Sequence, residues 1–402
     1  MIAEYLKKYF TSRVVISILF FYFIFLLLLQ ISVHWRDYSR PFRKDFLYTL
    51  YYHSQWVDPE SKYGIGDDGL YQVAGHTLAT KHEFFTINPE MPPLAKYLYG
   101  YSILFFGNGE AAALLFFCAA LICFYFVAKQ LIQNAILQIT ALIFFITDPL
   151  LFGQSFITLL DLPQLLFLLM HVLVLFALMN KGISRRNERL LFIIAGVTLG
   201  LFISVKIAFL SVIILLADLI VLIRLKKIWF LVPICIISAV VYISAYCMYF
   251  IQGHSLIEFL KNQKWMVYFY LSSNIKPVYG TVFTALFFGK IIGWSEQSQW
   301  TRIAEWTILW SAYLILFCVT MIRFILKKTI FNTKELYLLS ISTGLLVAFC
   351  FLPFFTRYLV LVLPFLIIFF IRFLEKSRLT QWFKYSTIIL AFCIHYYIFW
   401  SI

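Results

Sequence analysis

Apolar residues run in nearly unbroken stretches along this chain, each close to the ~20 residues that an α-helix needs to cross a bilayer core. Such stretches lie near 14–33, 110–128, 133–148, 156–179, 190–205, 207–224, 229–251, 303–323, 335–353, 357–372 and 382–402, roughly eleven in all. The expected fold class is therefore all-α, a polytopic membrane protein with about eleven transmembrane helices. Two further apolar pieces, 94–106 and 282–292, are short for a span and read as interfacial or re-entrant segments. Lys7, Lys8 and Arg13 precede the first run. That run is too long for a signal-peptide core and no small-residue cleavage pattern follows it, so it reads as an uncleaved first span.

Between the first and second runs the pattern changes. The loop 34–96 is far longer than a connection requires, and such loops are usually functional. Its stretches 41–56 and 70–85 mix apolar and polar residues at helical spacing, which predicts amphipathic helices lying along the membrane surface. No repeat, heptad array or low-complexity tract is evident. The chain reads as a single transmembrane domain, 1–402, with no separate soluble domain.

Composition agrees with the pattern. Hydrophobic residues make up 62% of the 402 and charged residues 13%, too little polar surface to cover a soluble globule. The formal charge of +14 does not point to nucleic acid, because the basic residues come in short clusters between apolar runs. Lys7/Lys8/Arg13, Lys129, Lys181/Arg185/Arg186/Arg189, Arg224/Lys226/Lys227, Arg323/Lys327/Lys328 and Arg372/Lys376/Arg378 all fall on one side of the expected spans. That side is the cytoplasm, where basic loops also meet anionic lipid. The extracytoplasmic side then holds the long loop, the 148–155 turn, the 252–302 segment and the 353–357 turn. All seven cysteines lie in apolar runs, with no disulfide framework or CxxC metal signature.

Candidate chemistry gathers on that outer side. From Gly64 to Asn108 the longest polar run in the chain sets Asp67 and Asp68 ahead of Pro92-Pro93 and Lys96. The two prolines fix the backbone and hold Glu90 and Lys96 in place. Lys96 has two readings, a point charge for a phosphate or an interfacial lysine reaching lipid headgroups. Asp148 and Asp161 stand near the outer ends of spans three and four, and Lys206 at that of span five, where charge is costly unless paired or functional. An ion pair between Lys206 and one of these aspartates is the favoured reading; all three also qualify as walls of a ligand pocket. Arg357 lies on the outer side against the positive-inside trend and needs a partner.

These residues resemble a known family. Asp67-Asp68-x-x-Tyr71, then Gly75, then NPEMPPLAKYL from Asn88 to Leu98, then Phe106-Gly-Asn108, look like the first-loop pattern of class-C membrane glycosyltransferases. The similar group is that of the protein O-mannosyltransferases and aminoarabinose transferases (glycosyltransferase family 39/83 type). Asp148-Pro149, Leu160-Asp161, Gly200 with Lys206 in LGLFISVKIAF, and Arg357-Tyr358 with Pro364 in RYLVLVLPFL follow in the same order. The resemblance implies a GT-C-like transferase that takes a sugar from a polyprenyl-phosphate carrier and places it on an extracytoplasmic acceptor, whether glycan, lipid or protein. The family's catalytic acid matches Asp67. Asp68 stands where the family often has Glu, and the large soluble insert of eukaryotic protein mannosyltransferases is absent, which argues against a protein acceptor.

Inverting transfer needs a base for the acceptor hydroxyl and positive charge for the leaving phosphate. Asp67 is expected as the base with Asp68 beside it; without the motif, the pair would read as a solvated turn with Gly66 and Gly69. Tyr71, Glu90, Lys96, Asp148, Asp161, Lys206, Arg357 and Tyr358 are the expected substrate-binding residues, with Arg357 on the polyprenyl phosphate. No cofactor is expected, and no metal: His76, His82, Glu83, Glu90 and His254 lack metal-ligand spacing. Trp265, Tyr268, Phe269, Tyr270, Trp294 and Trp300 suit an interface belt, with sugar stacking as a second role. The competing function is a transporter or flippase of lipid-linked sugar. Those folds place polar groups at the midplane, whereas here they gather at one face. A third is an inactive relative serving as an assembly partner.

Overall fold

The computed structural model describes residues 2–206, 209–272, 277–292, 299–326, 332–377 and 393. The expected span 382–402 falls, Cys393 apart, outside the described residues, as do Lys327, Lys328, Arg378 and Trp294. α1 (Ile2–Val33) leads into the long loop, which folds into α2 (Trp35–Tyr38), α3 (Lys44–Tyr52), α4 (Asp67–Lys81) and α5 (Leu94–Phe106). The chain continues through α6 (Glu110–Leu131), α7 (Ala135–Thr147), α8 (Pro149–Gly153), α9 (Asp161–Leu178) and α10 (Arg185–Ile203). Next come α11 (Leu210–Arg224), α12 (Leu231–Ser244), α13 (Cys247–Ile251), α14 (Leu256–Ser272) and α15 (Thr281–Phe288). A short antiparallel hairpin of β1 (Lys290–Ile292) and β2 (Trp300–Arg302) precedes α16 (Ile308–Ile325), α17 (Thr333–Phe351) and α18 (Leu363–Lys376).

Several helices start where a polar side chain can take up otherwise unpaired backbone N–H groups. Asn134 caps α7, Asp148 caps α8 with Pro149 at its first position, and Thr307 caps α16. Asn332 and Glu335 form a reciprocal capping box at α17. The first nine residues of α18, Leu363 to Ile371, are apolar around the whole circumference and accordingly all buried inside the bundle.

Five described helices are individually long and apolar enough to cross a membrane: residues 13–33 of α1, then α6, α9, α16 and α17. A sixth results if α7 and residues 149–156, bent by 58°, count as one span. The chain is thus a multi-pass membrane protein, and the expected count of eleven is not reached. Helices do occupy the other expected positions within the described residues, but α11 and α12 have 15 and 14 residues. At 1.5 Å per residue they measure only about 21–23 Å, and α10 opens on the charged sequence RRNER.

The loop helices depart from expectation in one respect. α3 is two-faced, with Leu47, Tyr48, Leu50 and Tyr51 packed inward. α4 is not a surface helix, since residues 69–75, Thr77 and Leu78 are all buried. It is clamped between α3 and α5, and glycine makes that possible. A Cβ on Gly75 would stand 2.5 Å from the Lys96 carbonyl oxygen, and one on Gly100 2.0 Å from the Gly75 carbonyl oxygen. The two backbones therefore touch where they cross.

The two ends of the bundle differ in chemistry. At one end Lys334 bonds Gln130 and Asn180, Lys227 pairs with Glu188, and Glu335 receives Arg372 and Lys376. These contacts gather the basic ends of α6, α9, α10, α11, α17 and α18. α9 runs 18 residues from Asp161 to that end, about 27 Å, so Asp161 and its neighbours occupy the opposite one.

Candidate active site

Asp67 is the first residue of α4, preceded by the extended Gly66. A carboxylate there is favoured by the helix dipole. Its Oδ2 accepts a hydrogen bond from Nη1 of Arg357, which enters from the 3₁₀ turn Thr356–Leu361 between α17 and α18. On the other side of Arg357, its Nε faces Oδ2 of Asp161 at 3.6 Å. Asp161 Oδ1 in turn accepts from Lys206 Nζ at 2.6 Å. Four charges of alternating sign thus run Asp67, Arg357, Asp161, Lys206 with no net charge.

Burial deepens along this row. Asp67 is 32% exposed and Arg357 16%, whereas Asp161 and Lys206 are each at 1%. Two aromatic faces flank the cations: Phe355 lies 4.7 Å from the Arg357 guanidinium and Tyr358 4.7 Å from Lys206 Nζ. Arg357 Nε and Asp161 Oδ2 are both buried and, at 3.6 Å, leave each other without a hydrogen bond. A donor and an acceptor here remain open to a polar ligand or a small shift.

Other expected residues surround the row. Tyr71, one turn beyond Asp67 on α4, is buried beside Arg357, Asp67 and Asp161. Asp68 is exposed, and its carbonyl accepts from Thr158 Oγ1 at 2.9 Å. Leu94 N–H donates to the Ser204 carbonyl at 3.1 Å, tying the start of α5 to the chain just before Lys206. Glu90 is buried, bonded to Asn88, and burial pushes its carboxyl above the usual range. Tyr270 Oη donates to the Glu90 carbonyl at 3.2 Å.

Two expected residues are occupied elsewhere. Lys96 is fully buried, and its Nζ donates to the carbonyls of Asn88 at 2.7 Å and Met91 at 2.8 Å. Burial lowers its amine to about 8, opposed by the nearby Glu90. Asp148 caps α8 through Leu150 and Leu151 N–H and accepts from Trp310 Nε1 at 2.7 Å. Those partners hold the bend between α7 and α8, and Lys206 pairs with Asp161 instead.

Among the described residues no group of three His, Cys, Asp or Glu is arranged to hold a metal ion. His254 faces Glu258 at 3.4 Å and stacks on Tyr249, while His76 meets Tyr48. Thr158 and Ser204 escaped the sequence reading because nothing distinguishes a packing hydroxyl by composition. His171 and Asp218 also escaped it, although each is a titratable group inside an apolar run, which is a usable signal.

The model of the dolichyl-phosphate-mannose-protein mannosyltransferase family matches residues 110–268. This match begins after the Asp67 loop. By fold, the chain is similar to ArnT from Cupriavidus metallidurans bound to undecaprenyl phosphate, with TM-score 0.59 and 15% identity over 91% of this chain and 62% of that one. The apo form of ArnT gives TM-score 0.59 and 15% identity over 81% and 57%. The archaeal oligosaccharyltransferase AglB from Archaeoglobus fulgidus, in complex with an inhibitory peptide and a dolichol-phosphate, gives TM-score 0.55 and 11% identity over 94% and 55%. The chain spans 55–62% of the length of these structures. No curated protein matches it by sequence. The chain shares its fold with ArnT and AglB.

Proposed function

We propose that this chain is an integral membrane glycosyltransferase that moves a sugar from a polyprenyl-phosphate carrier to an acceptor hydroxyl on the extracytoplasmic face. The observation that carries the reading is the row Asp67–Arg357–Asp161–Lys206, which offers a carboxylate and cations side by side at the end of the bundle away from its basic loops.

The chemistry follows from that row. Asp67 Oδ2 takes the proton of the acceptor hydroxyl as its oxygen attacks the anomeric carbon. The bond from that carbon to the phosphate oxygen breaks, its electron pair leaves with the carrier phosphate, and the configuration inverts. Arg357 holds that phosphate as its charge grows, with Lys206 in reserve behind Asp161. In the resting arrangement Arg357 is bonded to Asp67. The incoming phosphate competes for the guanidinium, and winning it frees the base. Tyr71 and Tyr358 line this position, Glu90 stands behind it, and Asp68 faces water where an acceptor approaches.

Purified protein offered a panel of radiolabelled polyprenyl-phosphate sugars tests the proposal. Release of sugar from the carrier is expected, and Asp67→Asn should lower kcat by about 10²–10⁴-fold. A folded Asp67→Asn protein with normal transfer refutes the base, and a wild-type protein that moves the carrier across vesicles intact refutes the transferase.

A further inference from the structure

Deep in the bundle, away from the row of charges, lies a second polar cluster. His171 on α9, Asp218 on α11 and Tyr337 on α17 are each 0% exposed. His171 Nε2 meets Asp218 Oδ2 at 3.0 Å, and Tyr337 Oη donates to Asp218 Oδ1 at 2.7 Å. His171 Nδ1 lies 3.1 Å from the Ala195 carbonyl and 3.0 Å from Thr198 Oγ1, both on α10. His171 follows Asp161 by about 15 Å along α9, half the depth of a bilayer core of about 30 Å.

The hydrogen bonds constrain the protons. The Ala195 carbonyl only accepts, and Thr198 donates its own hydrogen to the carbonyl of Ile194 or Ala195, so His171 Nδ1 carries hydrogen. One further proton is shared between Nε2 and Asp218 Oδ2. On either atom the cluster is neutral overall, which is how such groups are tolerated in hydrocarbon.

Its place in the packing gives it a consequence. α9 packs closely on α10, and α11 on α17, while the helices of one pair approach those of the other sparsely and α9 meets the second pair closely only at the outer turn Thr356–Leu361. The His171–Asp218 contact bridges that gap. The first pair carries the site through Asp161, which opens α9, and Lys206, just beyond α10. The second carries it through Arg357, which follows α17 by way of the 3₁₀ turn.

We propose that His171 and Asp218 are positioning residues: their bond, braced by Tyr337 Oη on Asp218, joins the two helix pairs at mid-depth and, with the outer packing, fixes Arg357 against Asp161 at the outer end. This proposal rests on the transferase reading only for its kinetic arm.

The structural arm uses nitroxides on Ile157→Cys, ahead of α9, and Thr356→Cys, beside Arg357, with the seven native cysteines changed to serine. Asp218→Asn keeps the network neutral, its amide oxygen accepting from Tyr337 and its NH₂ donating to Nε2. It should give the same narrow distance distribution by electron paramagnetic resonance as the parent. Asp218→Leu removes both bonds and should broaden or shift it. If Asp218→Leu does not fold, His171→Phe, which removes the bond between the pairs and leaves Asp218 bonded to Tyr337, is read instead and should broaden or shift the distribution likewise. A folded Asp218→Leu or His171→Phe with the parent's distribution overturns the proposal.

In the kinetic arm Asp218→Leu should raise KM for the lipid-phosphate sugar by on the order of tenfold to a hundredfold, with Asp218→Asn restoring it. An unchanged KM overturns the positioning role. Absent turnover in the parent counts against the transferase reading alone and leaves the distance measurement to decide the tie.

Discussion

Arg357 is bonded to Asp67 while facing Asp161 from its other side, so one guanidinium serves both the partly exposed acid and the buried one. Replacing it separates two effects. Arg357→Ala should raise KM for a polyprenyl-phosphate sugar by about 10²-fold, since removing one partner of a desolvated charge pair costs about 2–5 kcal/mol. Arg357→Lys should recover only part of it, lacking the planar fork that spans both carboxylates. Steady-state kinetics on the two variants checks this, and an unchanged KM in Arg357→Ala removes phosphate binding from its role.

Lys206 and Asp161 form an ion pair almost wholly out of water. Breaking a pair of this kind from one side costs about 3–5 kcal/mol, because the other charge stays buried. Lys206→Met and Asp161→Leu should therefore each lower the thermal midpoint in detergent. The double variant should lie well above the sum of the two losses, and strict additivity would show that the pair is not coupled.

Lys96 gives a pH dependence whose sign can be worked out. Burial lowers its amine from 10.5 to about 8, so between those values the unfolded chain binds the extra proton and the folded one does not. Stability should rise with pH across about 8 to 10.5. Below 8 both forms are protonated and the desolvation cost is constant. Thermal midpoints of the parent and of Lys96→Met over this range provide the check, the variant being expected to lack the rise.

Gly100 admits no side chain without displacing α4, because a Cβ would stand 2.0 Å from the Gly75 carbonyl oxygen. Gly100→Ala should cost about 1–3 kcal/mol and move Asp67 with its helix. It should lower both the thermal midpoint and transfer, whereas Gly107→Ala, with open space around its Cβ but φ +82°, should affect stability alone.

Much of this arrangement was legible in the residues. Apolar runs of span length gave a helix at each expected position within the described residues, because backbone groups in a bilayer must bond within their own segment. Arg357 stood out for lying against the charge asymmetry, and its two acidic neighbours account for that. Lys206 was expected to pair with an aspartate, but sequence does not reveal that Asp148 is already taken up by Trp310 and the α8 backbone. α4 reads as amphipathic because its polar residues recur at helical spacing. Its burial comes from α3 and α5 closing over it, which is tertiary packing that no local pattern encodes. The same holds for His171 and Asp218, remote in sequence and adjacent only once α9 and α11 are assembled.

Because burial increases from Asp67 to Lys206, dissolved ions reach the row from one end only. Raising ionic strength would weaken the outermost contact, between Arg357 and Asp67, and leave the Asp161–Lys206 contact almost untouched. The molecule thus has a grip that the surrounding medium can loosen, mounted on an anchor that it cannot.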